Sequence, residues 1–340
     1  MNLSRTLLTS LLAISTSLHS LAATTPASMS AVQYHPSGSS GALQYDEDVS
    51  RPVPGPNEVL IRITAAGLNP TDADNRARVT QRAYIPGYDI AGEIIAVGSD
   101  VINQKTGTQV IAMLPISGSG GGYAQYATVS ADLVAPQPSN LDAAHAAAVP
   151  LAALTAYQAL FDQGHLKRGQ TVLIHGASGG VGHFAVQLAK HAGARVIGTA
   201  SASNLAFVRS LGADVTIDYK EQRFEDVAKN VDLVIDTVGH DTLQRSYAVV
   251  RRGGTVVSLL ERPNAQTLVS LGLFGTRTIV TSDGNELAVI SRLIEQNAVR
   301  PTVSQTFPLR DAARAQEALR TGHGQGKIVL IVAPANDSST

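Results

Sequence analysis

A run of small residues at positions 175–182, His-Gly-Ala-Ser-Gly-Gly-Val-Gly, constrains the fold of this 340-residue chain more than any other segment. The apolar residues just before it, 171–174, are typical of a short buried strand, and the residues of 181–192 predict a helix. A strand can pass into a helix within so few residues only through a tight turn, which requires residues with little or no side chain. The run therefore predicts a strand–turn–helix unit of a parallel α/β sheet.

The segments that follow alternate between strand and helix in the same way. Further strands are predicted at 195–198, 215–217, 231–235 and 255–259, and further helices at 205–211, 224–228 and 242–250. In this order each helix crosses back over the sheet, so the strands are parallel and both faces of the sheet are covered. The fold class predicted for this part of the chain is α/β, with a doubly wound parallel sheet of the Rossmann type.

The two ends of the chain have a different pattern. Short apolar strands separated by Gly- and Pro-rich turns are predicted at 58–63, 90–97, 109–114 and 123–129. One or two helices, interrupted at Pro150, are predicted within 140–160. After Asp283, helices at 286–296 and 310–320 alternate with strands at 303–307 and 327–332. The spacing of the short strands favours a second, mostly β lobe.

Within the small-residue run, Ala177-x-Gly179-x-x-Gly182 matches the dinucleotide-binding pattern G-x-G-x-x-G with alanine first. Bare backbone at Gly179 lets a diphosphate approach, and Gly182 lets the helix pack closely against the strands. The start of the helix offers unpaired N–H groups and about half a positive charge to the phosphates. The pattern in its strand–helix context predicts a dinucleotide site, and a tight turn without a ligand is the alternative interpretation.

The residues that follow the second strand, 199–204, distinguish NADP from NAD. A carboxylate at this point would bond the ribose hydroxyls of NAD and repel a 2′-phosphate, but the segment Thr-Ala-Ser-Ala-Ser-Asn contains no acid. Its hydroxyl donors favour NADP. It also lacks an arginine, whose charge-assisted bond would contribute roughly 1.5–3 kcal/mol, so we expect a preference of only about one or two powers of ten.

The composition excludes several classes of function. Lys and Arg number 26 and Asp and Glu number 27, so there is no basic excess to bind a nucleic-acid backbone. The chain has no cysteine, which excludes disulfides, thiolate metal sites and cysteine nucleophiles. Its nine histidines are scattered without the spacing of metal ligands, and we expect no metal site.

The first 22 residues resemble a secretory signal. Arg5 is followed by a short apolar stretch, 7–14, and by the small-x-small pattern Ser20-Leu21-Ala22. A working signal would make the protein periplasmic or secreted, whereas a start at Met29 would make it cytoplasmic. No segment reaches the roughly 18 uninterrupted apolar residues of a membrane helix, so we expect no stable membrane insertion.

Several motifs outside the dinucleotide pattern point to one family. They are Gly67-Leu68-Asn69-Pro70-Thr71-Asp72, Pro86-Gly87-Tyr88-Asp89-Ile90-Ala91-Gly92, Gly121-Gly122-Tyr123-Ala124-Gln125-Tyr126, Leu154-Thr155-Ala156, Leu211-Gly212-Ala213-Asp214, Asp236-Thr237-Val238-Gly239 and Gly326-Lys327-Ile328-Val329-Leu330. With the dinucleotide pattern, and over 29–332, they resemble the zinc-free quinone oxidoreductase branch of the medium-chain dehydrogenase/reductase superfamily, the zeta-crystallin-like reductases.

The resemblance implies two domains. A GroES-like, mostly β catalytic domain would be formed by 29–153 and 285–335, with a Rossmann domain, 154–284, inserted in it. NADPH would lie in the cleft between the two. Relatives are often dimers through an extended Rossmann sheet, so the resemblance is compatible with a homodimer.

The resemblance also bears on zinc and on the substrate. Zinc-dependent members of the superfamily carry a Cys at the position of Asn69 and a His–Glu pair at the positions of Tyr88 and Asp89. Without a Lewis acid to stabilise an alkoxide, direct alcohol oxidation is disfavoured. The implied acceptor is a quinone or an α,β-unsaturated carbonyl, which delocalises the added electron pair onto its own oxygen.

The resemblance further implies which residues bind the cofactor. The diphosphate would be held by Ala177, Ser178, Gly179, Gly180, Val181 and Gly182. The nicotinamide would lie near Thr155, Val238 and Gly239, and the 2′-phosphate and adenine ribose near Ser201, Ser203, Asn204 and Tyr219. Lys327 would approach the cofactor from the last strand. The family usually places a basic residue where Ser203 stands, which weakens the expected preference for NADPH.

The candidate catalytic residues are Asn69, Asp72, Tyr84 and Tyr88. We hypothesise that the Asn69 amide polarises the substrate carbonyl and that Asp72 orients the loop that carries Asn69. A neutral phenol of Tyr84 or Tyr88 is a second donor, and solvent supplies the proton.

Structural roles are the alternative for several residues. Asn69 is also a turn starter before Pro70, and Tyr84 is also explained as a core or rim aromatic. We expect Tyr123 to pack in its strand, His183 to pack at the start of its helix and Asp236 to end its strand.

Three functions remain open on the sequence. The first is an NADPH-dependent quinone or enone reductase. The second is an enoyl or alkenal reductase of small substrates, and the third is a cofactor-binding redox sensor or structural protein with little turnover.

Overall fold

Three β-sheets organise the part of the chain that the structure describes. The structure, a computed structural model, describes residues 27–35, 43–74, 83–116, 120–322 and 324–332. The signal-like segment 1–22 lies outside the described residues. In the described ranges, no helix is both long enough and apolar enough to cross a membrane.

The first part of the chain is mostly β. Its elements are β1 (Ser28–Tyr34), β2 (Leu43–Ser50), β3 (Glu58–Gly67), α1 (Pro70–Asp74), β4 (Asp89–Val97), β5 (Gln109–Met113), β6 (Tyr126–Ser130), β7 (Val134–Pro136), α2 (Ala143–Ala147) and α3 (Pro150–Tyr157). Strands β1 and β2 form an antiparallel pair. The predicted interruption at Pro150 is the start of α3, because proline at the first helical position sacrifices no hydrogen bond.

The middle of the chain alternates strands and helices. Its elements are β8 (Thr171–Ile174), α4 (Gly182–His191), β9 (Arg195–Ala200), α5 (Leu205–Ser210), β10 (Val215–Asp218), α6 (Phe224–Val227), β11 (Val231–Asp236), α7 (His240–Ser246), β12 (Val250–Ser258), α8 (Ala265–Leu271) and β13 (Phe274–Arg277). The six strands form one sheet in the order β10-β9-β8-β11-β12-β13, and every neighbouring pair is parallel. The predicted α/β class is confirmed.

The last elements return to the first lobe. They are α9 (Gly284–Glu295), β14 (Val303–Pro308), α10 (Ala312–Thr321) and β15 (Lys327–Ile331). The GroES-like sheet has the order β14-β15-β3-β4-β5-β7, with β6 also paired to β3. Because β3 is antiparallel to both β4 and β15, its C-terminal end lies beside the first residues of those two strands.

The core continues from one lobe into the other. One apolar cluster includes Tyr88 and Ile111 of the GroES-like sheet, Leu154 of α3, and Ile174 and Phe184 of the Rossmann part. A separate cluster covers the opposite face of the parallel sheet. Adjacent residues of one strand, such as Leu173 and Ile174, therefore belong to different clusters, as expected for a parallel sheet buried on both faces.

Some predicted boundaries differ from the structure. The strand predicted at 58–63 continues through Ala66 and Gly67, because these residues pair with β4 on one side and β15 on the other. Residues 247–250 do not belong to the predicted helix, since α7 ends at Ser246 and β12 already begins at Val250. In both cases pairing with a distant strand outweighs the local preference. The domain boundaries expected from the resemblance stay predictions.

Candidate active site

The small-residue run forms a turn that is tied to both neighbouring strands of the parallel sheet. The N–H of His175 donates to the carbonyl of Ile235 in β11 at 2.9 Å, and that of Ala177 donates to the carbonyl of Thr199 in β9 at 2.9 Å. Gly176 at the corner has a φ of 65°, which favours glycine. The turn then leads directly into α4.

Two glycines of the turn have different surroundings. A Cβ at Gly182 would collide with the carbonyl of Gly176, so this glycine is required for close packing of α4. A Cβ at Gly179 would meet only the carbonyl oxygen of Gly176, at 3.3 Å, and would otherwise enter open space. The residues of the turn therefore fit a diphosphate that approaches bare backbone at Gly179.

The turn before β15 lies against this small-residue turn. The N–H of Gly326 donates to the carbonyl of Ser178 at 2.9 Å, and a Cβ at Gly180 would lie 3.2 Å from Cδ of Lys327. Lys327 is the first residue of β15 in the GroES-like sheet, and its side chain packs beside the predicted diphosphate turn.

The ammonium group of Lys327 ends among three oxygen atoms of that sheet. Its Nζ donates to the carbonyl of Leu68 at 2.6 Å and to Oδ1 of Asn69 at 2.5 Å, and it lies 3.3 Å from Oδ2 of Asp89. Lys327 is only 4% exposed, and Asp89 is fully buried. Because β3 ends where β4 and β15 begin, the side chains of Asn69, Asp89 and Lys327 meet at the same end of these three neighbouring strands.

The side chain of Asp89 also connects this cluster to α3. Its Oδ2 accepts a hydrogen bond of 2.8 Å from Nδ2 of Asn69, and its Oδ1 accepts one of 2.6 Å from the N–H of Leu151 in the first turn of α3. Burial raises the pKa of Asp89, and the charge of Lys327 opposes the shift. Sequence reasoning assigned no role to Asp89, although an acid next to the apolar pair Ile90-Ala91 at the start of a strand is a usable signal.

Asp72 lies next to Asn69 and contacts Tyr123. Its Oδ2 accepts bonds from the backbone N–H of Asn69 at 2.7 Å and from the hydroxyl of Tyr123 at 2.9 Å. This bond joins Asp72 to the backbone of Asn69, and the orienting role of Asp72 stays a prediction. Tyr123 was expected only to pack in its strand; it precedes β6, and its hydroxyl bonds to Asp72. Burial raises the pKa of Asp72 to about 7 and, together with Asp72, raises the pKa of Tyr123.

The raised pKa of Asp72 predicts a pH-dependent stability. Between about pH 4 and about pH 7 the native protein retains a proton that the unfolded chain has lost, so the free energy of unfolding falls as pH rises through this window. The contribution is about 4 kcal/mol for a shift of this size. Replacing Asp72 with Asn should flatten the fall, as measured by urea unfolding at about pH 4.5 and about pH 7.5.

Asp142→Asn is the control for this prediction. The pKa of Asp142 is lowered, mainly by its hydrogen bonds to His145 against a desolvation effect of opposite sign, so this variant should not remove a fall in stability above pH 4. A slope in Asp72→Asn equal to that of the wild type would contradict the prediction.

The two candidate tyrosines form a pair. The hydroxyls of Tyr84 and Tyr88 lie 2.7 Å apart, and both side chains are buried. Tyr84 is also joined to β1 by two backbone hydrogen bonds with Tyr34. The structure therefore places Tyr84 in the core, next to Tyr88.

Thr155 lies in α3, and Val238 and Gly239 lie in the loop after β11; the resemblance predicts that all three are near the nicotinamide. The hydroxyl of Thr155 donates to the carbonyl of Leu151 within α3 at 2.6 Å. Asp236, at the end of β11, accepts from the backbone N–H groups of Val238 and Gly239 at 3.1 and 2.9 Å. Asp236 thus shapes the loop after its strand, in agreement with the structural role expected for it.

The residues predicted at the adenine ribose lie together after β9 and β10. The hydroxyls of Ser201 and Ser203 are 3.3 Å apart, and Nδ2 of Asn204 donates to Oγ of Ser201 at 3.2 Å. Tyr219 is 51% exposed, and its N–H donates to the carbonyl of Ala200 at 3.2 Å.

His183 has a structural environment. It is completely buried, and burial lowers its pKa to about 4. Its Nε2 accepts from the N–H of Thr302 at 3.3 Å, so Nδ1 carries the proton and donates to the carbonyl of Gly179 at 3.0 Å. The neutral ring joins the small-residue turn to the segment before β14.

The donors around Asn69 do not fit a zinc ion. Asn69, Tyr88 and Asp89 offer an amide, a phenol and one carboxylate, and the ammonium of Lys327 already lies against the amide and carboxylate oxygens. Zinc in proteins is bound by thiolates, imidazoles and carboxylates. The described residues contain no group of three His, Cys, Asp or Glu side chains that could hold a metal ion.

The chain is similar to proteins of one family. The family model "Alcohol dehydrogenase GroES-like domain" matches residues 55–139, and "Zinc-binding dehydrogenase" matches residues 211–330. A 2-methylene-furan-3-one reductase of Solanum lycopersicum is 36% identical over 319 residues, which cover 90% of this chain and 79% of the relative. An NADPH-dependent alkenal/one oxidoreductase, chloroplastic, of Arabidopsis thaliana is 35% identical over 92% of this chain and 82% of its own length.

A solved structure agrees with these relatives. The quinone oxidoreductase from Coxiella burnetii is 34% identical and superposes with a TM-score of 0.82, over 89% of this chain and 99% of that chain. The resemblance predicted from the motifs is confirmed. The chain belongs to the zinc-free quinone oxidoreductase branch of the medium-chain dehydrogenase/reductase superfamily.

Proposed function

We propose that this protein is an NADPH-dependent, metal-independent reductase that transfers a hydride to a quinone or an α,β-unsaturated carbonyl. The observation that carries the proposal is the buried cluster of Asn69, Asp89 and Lys327 beside the small-residue turn. It supplies fixed hydrogen-bond donors and a positive charge next to the expected dinucleotide site. The three relatives described above act on acceptors of this class by their names.

The residues of the cluster define a role for Asn69. When bound, NADPH supplies the hydride. Lys327 holds the amide oxygen of Asn69, so the NH₂ group is the only part of the amide that can donate to a substrate. One of its hydrogens bonds to Asp89, and we assign the other to the substrate's carbonyl oxygen. The ammonium on the amide oxygen polarises the amide and strengthens that donor.

Replacing Asn69 with Ala should lower kcat/KM for the acceptor by roughly 10²- to 10³-fold, because an oxyanion donor acts mainly in the transition state. The dissociation constant of NADPH should stay close to that of the wild type, since the side chain of Asn69 is hydrogen-bonded to Asp89 and Lys327 and not to the small-residue turn or the Ser201 segment. Steady-state kinetics and fluorescence titration measure the two effects.

Asn140→Ala is the control for this variant. The Asn140 amide donates to the carbonyl of Ile294 at 3.0 Å, away from the cluster, so its loss should leave kcat/KM unchanged. A wild-type kcat/KM in Asn69→Ala would assign the donor role to another group.

A panel of acceptors tests the function itself. Phenanthrenequinone, a small alkenal and a crotonyl thioester are compared with NADPH and with NADH, each with and without a chelator. Oxidation of NADPH by the quinone or the alkenal, unaffected by the chelator, is expected. Preference for the thioester would favour an enoyl reductase, binding without turnover would favour a redox sensor or structural protein, and inhibition by the chelator would contradict metal independence.

We also propose that two copies associate through β13. This strand ends the parallel sheet, and it and its neighbours carry exposed apolar side chains, Phe274 at 66%, Val269 at 81% and Ile279 at 65% exposure. Pairing of β13 with its copy would continue the sheet and cover these side chains. Sedimentation velocity should detect a dimer, and a monomer at working concentrations would contradict this assembly.

The location of the protein depends on its mature N-terminus. Cleavage after Ala22 corresponds to export, and a start at Met29 corresponds to a cytoplasmic protein. Sequencing of the N-terminus of the natively expressed protein distinguishes the two.

A further inference from the structure

Four neutral side chains, Gln325, Asn204, Ser201 and Ser203, form a chain of hydrogen bonds. This hydrogen-bond chain begins in the GroES-like lobe and ends at the predicted 2′-phosphate position. Nε2 of Gln325 donates to Oδ1 of Asn204 at 3.1 Å. Nδ2 of Asn204 donates in turn to Oγ of Ser201 at 3.2 Å, and that oxygen lies 3.3 Å from Oγ of Ser203. No part of the sequence pattern assigned a role to Gln325, which immediately precedes Gly326 and Lys327.

The chain has a direction. An amide oxygen that accepts from Gln325 leaves the NH₂ group of Asn204 to face Ser201. Because the Ser201 hydroxyl oxygen then accepts, its hydrogen is directed to a further acceptor, which is Ser203, water or a bound ligand. The pair of serines therefore presents a donor at the end of β9.

The direction is imposed by the protein rather than by solvent. Asn204 is only 7% exposed, so water cannot replace the protein partners that set the orientation of its amide. The backbone beside Gln325 is held in place because the next residue, Gly326, donates to the carbonyl of Ser178 in the small-residue turn. One short segment thus contacts both the predicted diphosphate turn and the predicted ribose site.

The two nucleotides place opposite demands on this position. The 2′-phosphate of NADPH offers only acceptor oxygens near neutral pH, whereas sites for NADH supply an acceptor, usually a carboxylate, to the ribose hydroxyls. A chain that ends in a donor satisfies the phosphate. A chain of reversed direction would satisfy a hydroxyl.

We propose that Gln325 is a specificity-determining residue that favours NADPH over NADH by fixing the direction of the Asn204–Ser201–Ser203 hydrogen bonds. It is a positioning residue, since it acts through Asn204. The inference rests on the proposed NADPH-dependent function. It explains how a site without an arginine can still prefer the phosphorylated nucleotide.

Two substitutions test the direction of the chain. Gln325→Met removes the donor and should lower the ratio of NADPH affinity to NADH affinity about 3- to 10-fold, the effect of one neutral hydrogen bond. Gln325→Glu can only accept from Asn204, so the amide turns over, the chain reverses and the ratio should fall further. Fluorescence titration of each variant with NADPH and NADH measures the ratio.

Two controls separate an effect of hydrogen-bond direction from other effects. High salt tests for repulsion by the new carboxylate, and a matched variant tests for the loss of a half-buried hydrogen bond. Repulsion by the new carboxylate of Gln325→Glu is screened at high salt, whereas the reversed chain is not, so the lowered ratio should persist there. Gln137→Met loses a comparable half-buried bond of 3.1 Å, to the carbonyl of Leu141, and should leave the ratio unchanged.

Other results would overturn the inference. If Gln325→Met weakens the binding of NADPH and the binding of NADH by the same factor, the residue only joins the two lobes. A wild type that prefers NADPH, with an unchanged ratio in both Gln325 variants, overturns the inference and leaves the proposed function intact. A wild type that binds neither nucleotide overturns both.

Discussion

Replacing Lys327 with Met should lower kcat/KM for the acceptor by roughly 10²- to 10³-fold and the free energy of unfolding by about 3–5 kcal/mol. The loss of stability follows because Asp89 is fully buried and Lys327 is its only cationic partner among the described residues. The loss of rate follows because the oxygen of Asn69 loses the ammonium that orients and polarises the amide. Steady-state kinetics and urea unfolding measure the two quantities.

A double variant separates the two effects. In Lys327→Met/Asp89→Asn both members of the buried pair are neutral, so most of the stability should return, because a buried pair replaced by neutral groups costs little. The rate should not return, since Asn69 still lacks its cation. Lys190→Met is the matched control: its pair with Asp214 at 2.6 Å is partly exposed, and its loss should cost less than about 1 kcal/mol. A wild-type rate in Lys327→Met would contradict the role of the cluster.

Replacing Gly179 with Ala should weaken NADPH binding by roughly 10²-fold, the equivalent of one or two charge-assisted hydrogen bonds, with only a small change in the melting temperature. The new methyl group would meet only the carbonyl oxygen of Gly176, at 3.3 Å, so the fold tolerates it. It would nevertheless occupy the open side of the turn, where the diphosphate is expected to approach. Titration calorimetry with NADPH and thermal unfolding without ligand test the two statements.

Gly182→Ala is the contrasting variant. Its methyl group would collide with the carbonyl of Gly176, so both the melting temperature and NADPH binding should fall. If Gly179→Ala binds NADPH as tightly as the wild type, the turn does not hold the diphosphate.

The Rossmann sheet could be predicted because its signals are local. The apolar run 171–174, the small residues after it and the helical pattern of 181–192 are contiguous, and each requires its own structure wherever the chain lies. Three strands were missed, β2, β7 and β13; each is at the edge of its sheet, and β7 has only three residues. Edge strands are only partly buried, so they need no strong apolar pattern.

For the buried cluster of Asn69, Asp89 and Lys327, the sequence pointed to single residues and not to their contacts. Asn69 and Lys327 are both in motifs, yet they are 258 positions apart, and their contact depends on the pairing of β3 with β15. Asn69 was expected to offer its amide to a substrate, and the structure adds that its oxygen is already bound. The partner of Tyr123 and the contact between Gln325 and Asn204 likewise join residues that are distant in the chain.

By itself the sequence determined the class of the central sheet, the place of the small-residue turn and the family, because strand and helix periodicities and small-residue turns act over a few neighbouring residues. Only the tertiary structure decided that the ammonium group of Lys327 lies against Asn69 and that Gln325 of one lobe donates to Asn204 of the other. The physical reason is that buried polar groups must find partners, and which partners come within reach is set by how distant strands pair.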